Sequence, residues 1–120
     1  MARILAVDDS KSMRQMVAFA LQSDGHEVVT AEDGVDALGV ARNEVIDAVV
    51  TDINMPNMDG ITLVRQLRAL ENYRFVPLLI LTTESGIERK QQGRAAGATG
   101  WIVKPFEPEQ LRVTVRRVLG

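Results

Sequence analysis

Five short apolar runs, Ile4–Val7, Val28–Ala31, Ala48–Thr51, Leu78–Leu81 and Trp101–Val103, recur along the chain, each followed by a segment of helical spacing. This alternation constrains the fold more than any other feature. Near-continuous apolar strands separated by helices predict a parallel sheet covered on both faces, because right-handed crossovers place helices there. The expected architecture is an α/β, doubly wound, five-stranded parallel sheet of the (βα)5 kind.

The helical segments carry their own start and stop signals. Met13, Met16, Val17, Ala20 and Leu21 fall at i, i+3, i+4, i+7 and i+8, with Ser12 and Gln15 predicting a capping-box start and Asp24-Gly25 a stop. Further helices are expected over Gly34–Ala41, Gly60–Leu70 and Ile87–Ala96, and from Pro108 onward. Gly39, inside the second helix, weakens it by about 1 kcal/mol relative to alanine. His26 follows the Asp24-Gly25 turn without ligand partners nearby in sequence and is expected to be exposed.

A length of 120 residues without linker or repeat predicts one domain over 1–120, with no output domain. The absence of cysteine excludes disulfides and thiolate metal sites, which suits a cytoplasmic protein. The first apolar run stops at Asp8 and Asp9, which argues against a signal peptide or membrane span. A net charge of −2 provides no field for direct nucleic-acid binding, although Arg112, Arg116 and Arg117 crowd the last helix.

The strand ends carry the chemistry. Asp8 and Asp9 end the first run, Asp52 follows the third, Thr82, Thr83 and Glu84 follow the fourth, and Lys104-Pro105 follows the fifth. In a parallel sheet these ends share one edge, where doubly wound folds bind ligands. If the first and third strands are neighbours, as in one of the two common strand orders, three carboxylates converge. Each pair of charges at ~4 Å then repels by ~4 kcal/mol at an effective dielectric of 20. A hard divalent cation relieves that repulsion. All-oxygen ligation points to Mg²⁺, with Mn²⁺ as the alternative. A carboxylate nucleophile, a metal, the Lys104 ammonium and the Thr82 hydroxyl are the parts needed to take up a phosphoryl group.

Taken singly, each feature has an ordinary explanation. Asp-Asp serves as well as a helix N-terminal charge pair, and an Asp or Thr after a strand is usually a turn or cap residue. Co-occurrence at four strand ends is what singles them out. Other chemistries lack a part: aspartyl-phosphate hydrolases usually carry a second Asp two residues after the nucleophile, where this chain has Asn54, and "DDSKS" is not the Gly-rich loop of a nucleotide site.

The stretches "ILAVDDS", "VVTDINMPNMDG", "LILTTES" and "GWIVKPF" resemble the receiver domains of two-component response regulators, in particular the single-domain CheY-like type, over the whole chain. The resemblance implies the flavodoxin-like strand order 2-1-3-4-5. It implies Asp52 as phospho-acceptor, with Thr82 and Lys104 as its catalytic partners. Asp9, Asp52 and the Asn54 carbonyl would hold Mg²⁺, with Asp8 acting through bound water, and a cis bond would precede Pro105. Thr82 and Trp101 would form the switch. Implied partners are a sensor histidine kinase and a target at the face of the fourth helix, fifth strand and fifth helix, a flagellar motor switch being one candidate. The protein would be a cytoplasmic monomer in chemotaxis or a phosphorelay, with no catalysis beyond self-directed phosphoryl transfer. A receiver cut from a longer regulator, a phosphate sink and a docking module are the alternatives. Thr83 stands where Ala or Gly is common, and Trp101 where Tyr or Phe is common.

Overall fold

The computed structural model describes residues 1–120. In chain order the elements are β1 (Arg3–Val7), α1 (Lys11–Gln22), β2 (Glu27–Ala31), α2 (Gly34–Asn43), β3 (Ala48–Thr51), α3 (Gly60–Arg68), a 3₁₀ turn (Glu71–Tyr73), β4 (Leu78–Thr82), α4 (Ile87–Ala96), β5 (Gly100–Val103) and α5 (Pro108–Leu119). All strand pairs are parallel, in the order β2-β1-β3-β4-β5. The doubly wound sheet and its implied order are both present.

Alternation along the strands divides the core between the two faces of the sheet. Leu5, Val7, Val49, Leu78 and Ile80 pack with α2 and α3 residues such as Leu38, Leu63 and Leu67. Ile4, Ala6, Val50, Leu79 and Leu81 pack with Val17 and Leu21 of α1 and Leu111 and Val115 of α5. With both faces covered, β1, β3 and β4 are buried almost end to end, and function is left to the strand ends.

Three expectations need correction. The cap of α1 is Ser10, whose Oγ accepts from Met13 N, while Ser12 lies inside the first turn. Asp8 decides this, since its Oδ1 accepts from Ser10 N at 2.9 Å and holds Ser10 in the extended conformation that an N-cap requires. His26 is not exposed: its side chain is largely buried and Nδ1 accepts from Ala2 N across the edge of the sheet at 3.2 Å. The third helix ends at Arg68, and Leu70 introduces the 3₁₀ turn.

Arg68 explains where that helix stops. Its guanidinium donates to the carbonyls of Gly97, Tyr73 and Val76 at 2.9, 2.7 and 2.6 Å, joining three segments that approach the N-terminal ends of β4 and β5. The Tyr73 hydroxyl donates to Ala41 O at 2.7 Å and extends this tie to α2. Gly39, by contrast, faces open space: a Cβ there would have no atom within 4 Å beyond its chain neighbours and the backbone of its own helix. Gly39→Ala is therefore expected to stabilise the protein by ~0.5–1 kcal/mol, read as a higher urea midpoint at unchanged slope.

Candidate phosphorylation and metal site

The sheet brings the sequence-selected groups to one edge. Asp8 and Asp9 follow β1, Asp52 follows β3, Thr82 ends β4 and Lys104 follows β5. Parallel pairing of β1 with β3 and of β4 with β5 sets these residues side by side, and the ladder continues through Asp52 N to Val7 O and Lys104 N to Thr82 O. Position at this edge thus follows from register.

The carboxylates of Asp8, Asp9 and Asp52 offer oxygens that all lie within 4.8 Å of one another. Lys104 Nζ joins two of them, 2.8 Å from Asp8 Oδ2 and 3.1 Å from Asp52 Oδ2. These three side chains are only 6–12 % exposed, so the charges interact with little screening. Burial pulls the Lys104 ammonium down, but the hydrogen bond it donates to Asp8 and the charges of Asp52 and Asp8 outweigh it, and the net shift is upward. Lys104 is a fixed positive charge at neutral pH. One ammonium among three carboxylates still leaves the cluster net negative.

The donor set suits a hard divalent ion. Mg²⁺ takes oxygen ligands at ~2.0–2.1 Å, which places oxygens up to ~4.2 Å apart around a shared ion, close to the spread found here. Asp9 is exposed, leaving a solvent approach on its side. The remaining oxygens are oriented: Asp8 Oδ1 accepts from Ser10 N and Asp52 Oδ1 from Ile53 N at 2.7 Å. Asn54, two residues beyond Asp52, is exposed in the β3–α3 loop.

Thr82 is fully buried, and its Oγ1 accepts from Glu84 N at 3.3 Å, while Thr83 is exposed beside it. Trp101 is half-buried on β5. Its indole Nε1 donates to Glu84 O at 2.9 Å, and its ring occupies the space where a Cβ on Gly93 would fall, 2.7 Å from Cζ3. Glu84 therefore connects Thr82 to Trp101 through its own backbone. Lys104-Pro105 is a cis bond, as the resemblance implied.

Sequence reasoning passed over Arg14, whose guanidinium donates to the Asp8 carbonyl at 2.6 Å. Its signal was a cation one turn into the helix that follows the acid pair. Ser10, which fixes the Asp8 carboxylate from the backbone, was also missed.

A parallel (βα)5 sheet with an acidic cluster and a lysine at its C-terminal edge defines the response-regulator class of receiver, and residues 4–116 match the family model for the response regulator receiver domain. The chain belongs to that family. It is 39 % identical over 120 residues to a chemotaxis protein CheY homolog of Campylobacter jejuni, spanning 98 % of this chain and 92 % of that one. The response regulator MprA of Mycobacterium is 38 % identical over 117 residues, and there the match spans half of the longer protein. Among solved structures, chemotaxis response regulator CheY4 of Vibrio cholerae aligns with a TM-score of 0.94 at 52 % identity, covering 98 % of each chain. The receiver domain of sensor histidine kinase PA1611 from Pseudomonas aeruginosa aligns at 0.92 and 30 % identity, covering 99 % of this chain and 98 % of that one, and holds a magnesium ion in its active-site cleft. No helix of this protein is long and apolar enough to cross a membrane.

Proposed function

We propose that this protein is a phosphorylation-controlled switch of the CheY type, which accepts a phosphoryl group on Asp52 and thereby changes its affinity for a target protein. The observation that carries this reading is Lys104 Nζ held between Asp8 and Asp52, inside a cluster of three carboxylates at the sheet edge. An Asp52 oxygen attacks the phosphorus of a phosphohistidine. A P–O bond forms, the P–N bond breaks, and the electron pair leaves with the imidazole. Lys104 then pairs with the transferred phosphoryl oxygens and the Thr82 hydroxyl donates to one of them. Asp8, Asp9, Asp52 and the Asn54 carbonyl are the residues that would hold Mg²⁺, which when bound neutralises charge on the transferring oxygens. The magnesium ion in the PA1611 receiver supports this assignment. Hydrolysis of the aspartyl-phosphate resets the switch, so the only substrate turned over is the protein itself.

Transfer is coupled to the surface through Glu84. Once Thr82 turns toward the phosphoryl group it no longer accepts from Glu84 N, and the loop that receives the Trp101 hydrogen bond is freed. Between α4 and β5, Ile87, Lys90, Arg94 and Trp101 line a groove whose shape depends on that ring. The groove is the proposed target face, the donor is a histidine kinase, and the setting is cytoplasmic chemotaxis signalling, as the CheY relatives suggest.

The direct test is intact mass after incubation with acetyl phosphate. A single phosphoryl adduct that requires Mg²⁺ is expected, and an adduct formed equally well in EDTA would overturn the reading. Trp101 is the sole tryptophan, so phosphorylation is expected to change its emission intensity or maximum. An unchanged spectrum at saturating Mg²⁺ and donor would remove Trp101 from the switch. Thr83 narrows access to Asp52 on this reading, and Thr83→Ala is expected to accept phosphoryl from acetyl phosphate a few-fold faster, against which equal or slower labelling would count.

A further inference from the structure

Asn57 is the one residue other than glycine with positive φ, at 69°. It lies in the loop between β3 and α3 that also carries Asn54. Two backbone bonds fold this loop back on itself: Met58 N donates to Pro56 O at 2.7 Å and Gly60 N to Ile53 O at 2.9 Å. What holds Asn57 in the left-handed region comes from elsewhere in the chain. Its Nδ2 donates to Asp33 Oδ2 at 2.7 Å, across 24 residues, from the loop to the N-terminus of α2.

Asp33 is buried to 8 % exposure and uses both carboxylate oxygens. Oδ1 caps α2 by accepting from Asp36 N at 2.8 Å, and Oδ2 takes Asn57. Capping alone would employ one oxygen and would be served as well by serine. The next residue, Gly34, presses on the same loop, because a Cβ there would fall 2.8 Å from Met58 Cβ, Cγ and O. The start of α2 therefore contacts the loop twice, by a hydrogen bond and by close packing. The Asp36 N–H and the Asn57 amide hold the Asp33 carboxyl below its usual range, so the bond to Asn57 is made by a carboxylate at neutral pH.

We infer that Asp33 and Asn57 are a positioning pair for the metal site: their hydrogen bond fixes the β3–α3 loop in the turn that presents Asn54 and Asp52 to a divalent cation. The inference rests on the proposed Mg²⁺ site and deepens it. Neither residue touches the cation. Both act through the loop, as outer partners that orient ligands do. Without the bond, the exposed stretch around Asn54 keeps its closure at Gly60 but loses the constraint on the left-handed turn, so the cation must order the loop as it binds.

The test is calorimetric titration with Mg²⁺, with a urea unfolding midpoint measured on each variant. Asn57→Gly keeps the left-handed turn accessible and deletes the donor. Asp33→Ser keeps the α2 cap and deletes the acceptor. Each is expected to weaken Mg²⁺ binding about tenfold. The exchanged pair, Asp33→Asn with Asn57→Asp, restores a donor facing a carboxylate while the amide oxygen introduced at position 33 still caps α2, and is expected to bind within about twofold of wild type. Wild-type affinity in Asn57→Gly and Asp33→Ser, or failure of the exchanged pair to recover it, would overturn the positioning role. So would a loss that merely follows the urea midpoints across the series. Absence of Mg²⁺ binding by the wild-type protein is a different result and would overturn the metal site itself.

Discussion

Asp52→Asn is expected to yield no phosphoryl adduct with acetyl phosphate and Mg²⁺, while folding as well as the wild type. The loss is complete because the amide lacks the anionic oxygen that attacks phosphorus. Stability is expected to hold for a reason that can be counted. Asp52 has one attractive partner, Lys104 at 3.1 Å, and two like-charged neighbours, Asp8 and Asp9. At an effective dielectric of 20, charges ~4 Å apart interact by ~4 kcal/mol whatever their sign, so the two repulsions removed offset the one attraction lost. Lys104 also keeps Asp8 at 2.8 Å. The melting temperature without metal is therefore expected to be unchanged or higher. An adduct on Asp52→Asn would place the acceptor on Asp8 or Asp9, and a collapse of stability would mean that the Lys104–Asp52 pair is structurally essential.

The second large effect is expected from one methyl group. A Cβ on Gly60 would fall 1.9 Å from the carbonyl oxygen of Asp52, 2.8 Å from its carbonyl carbon and 3.0 Å from Ile53 Cα. All three atoms are backbone, so no side chain can rotate away. Gly60 is required here for close approach, since its φ is not among the positive ones. Overpacking costs ~1–3 kcal/mol where side chains absorb the clash and more where they cannot. Gly60→Ala is therefore expected to lose at least ~3 kcal/mol, a fall of roughly 10–15 °C in melting temperature. Because the yielding backbone is that of Asp52, Mg²⁺ affinity should fall as well. Gly39→Ala is the internal control, the same substitution with the opposite expected sign. A Gly60→Ala protein as stable as wild type would show that the start of α3 can slide away from β3 at little cost.

How far the sequence could be read depended on the range of the interaction. Strands buried on both faces announce themselves as apolar runs, so the sheet and the edge holding Asp8, Asp9, Asp52, Thr82 and Lys104 were legible from the chain alone. The neighbouring of β1 and β3 was not, because periodicity says nothing about strand order; it came from the resemblance. The errors lie where one residue's conformation is set by a side-chain partner that the residue pattern does not reveal. Ser12, with Gln15 three residues on, was read as the cap because the pattern does not show the Asp8 carboxylate holding Ser10 N, and His26 looked exposed because Ala2 N, its donor, lies 24 residues away. The Asp33–Asn57 bond is of the same kind. Each half has a local explanation, a helix cap and a turn residue, and only the fold joins them.

The Arg68 tie gives the two ends of the sheet opposite mechanical characters. At the N-terminal ends of β4 and β5 one guanidinium clamps three carbonyls and Tyr73 anchors the neighbouring helix, whereas at the other end Asn54, Thr83, Ser85 and Gly86 stand in solvent and α4 begins without a side-chain cap. The molecule is built like a clothes-peg, bound together at the spring, with exposed tips at the jaws around the tied Lys104 cluster. If Asp52 takes the phosphoryl group as proposed, a signal written at the jaws has little reason to travel down through the strands. Its easier course is sideways, from loop to loop along the rim, so that on the proposed switch the face would change while the frame stays still.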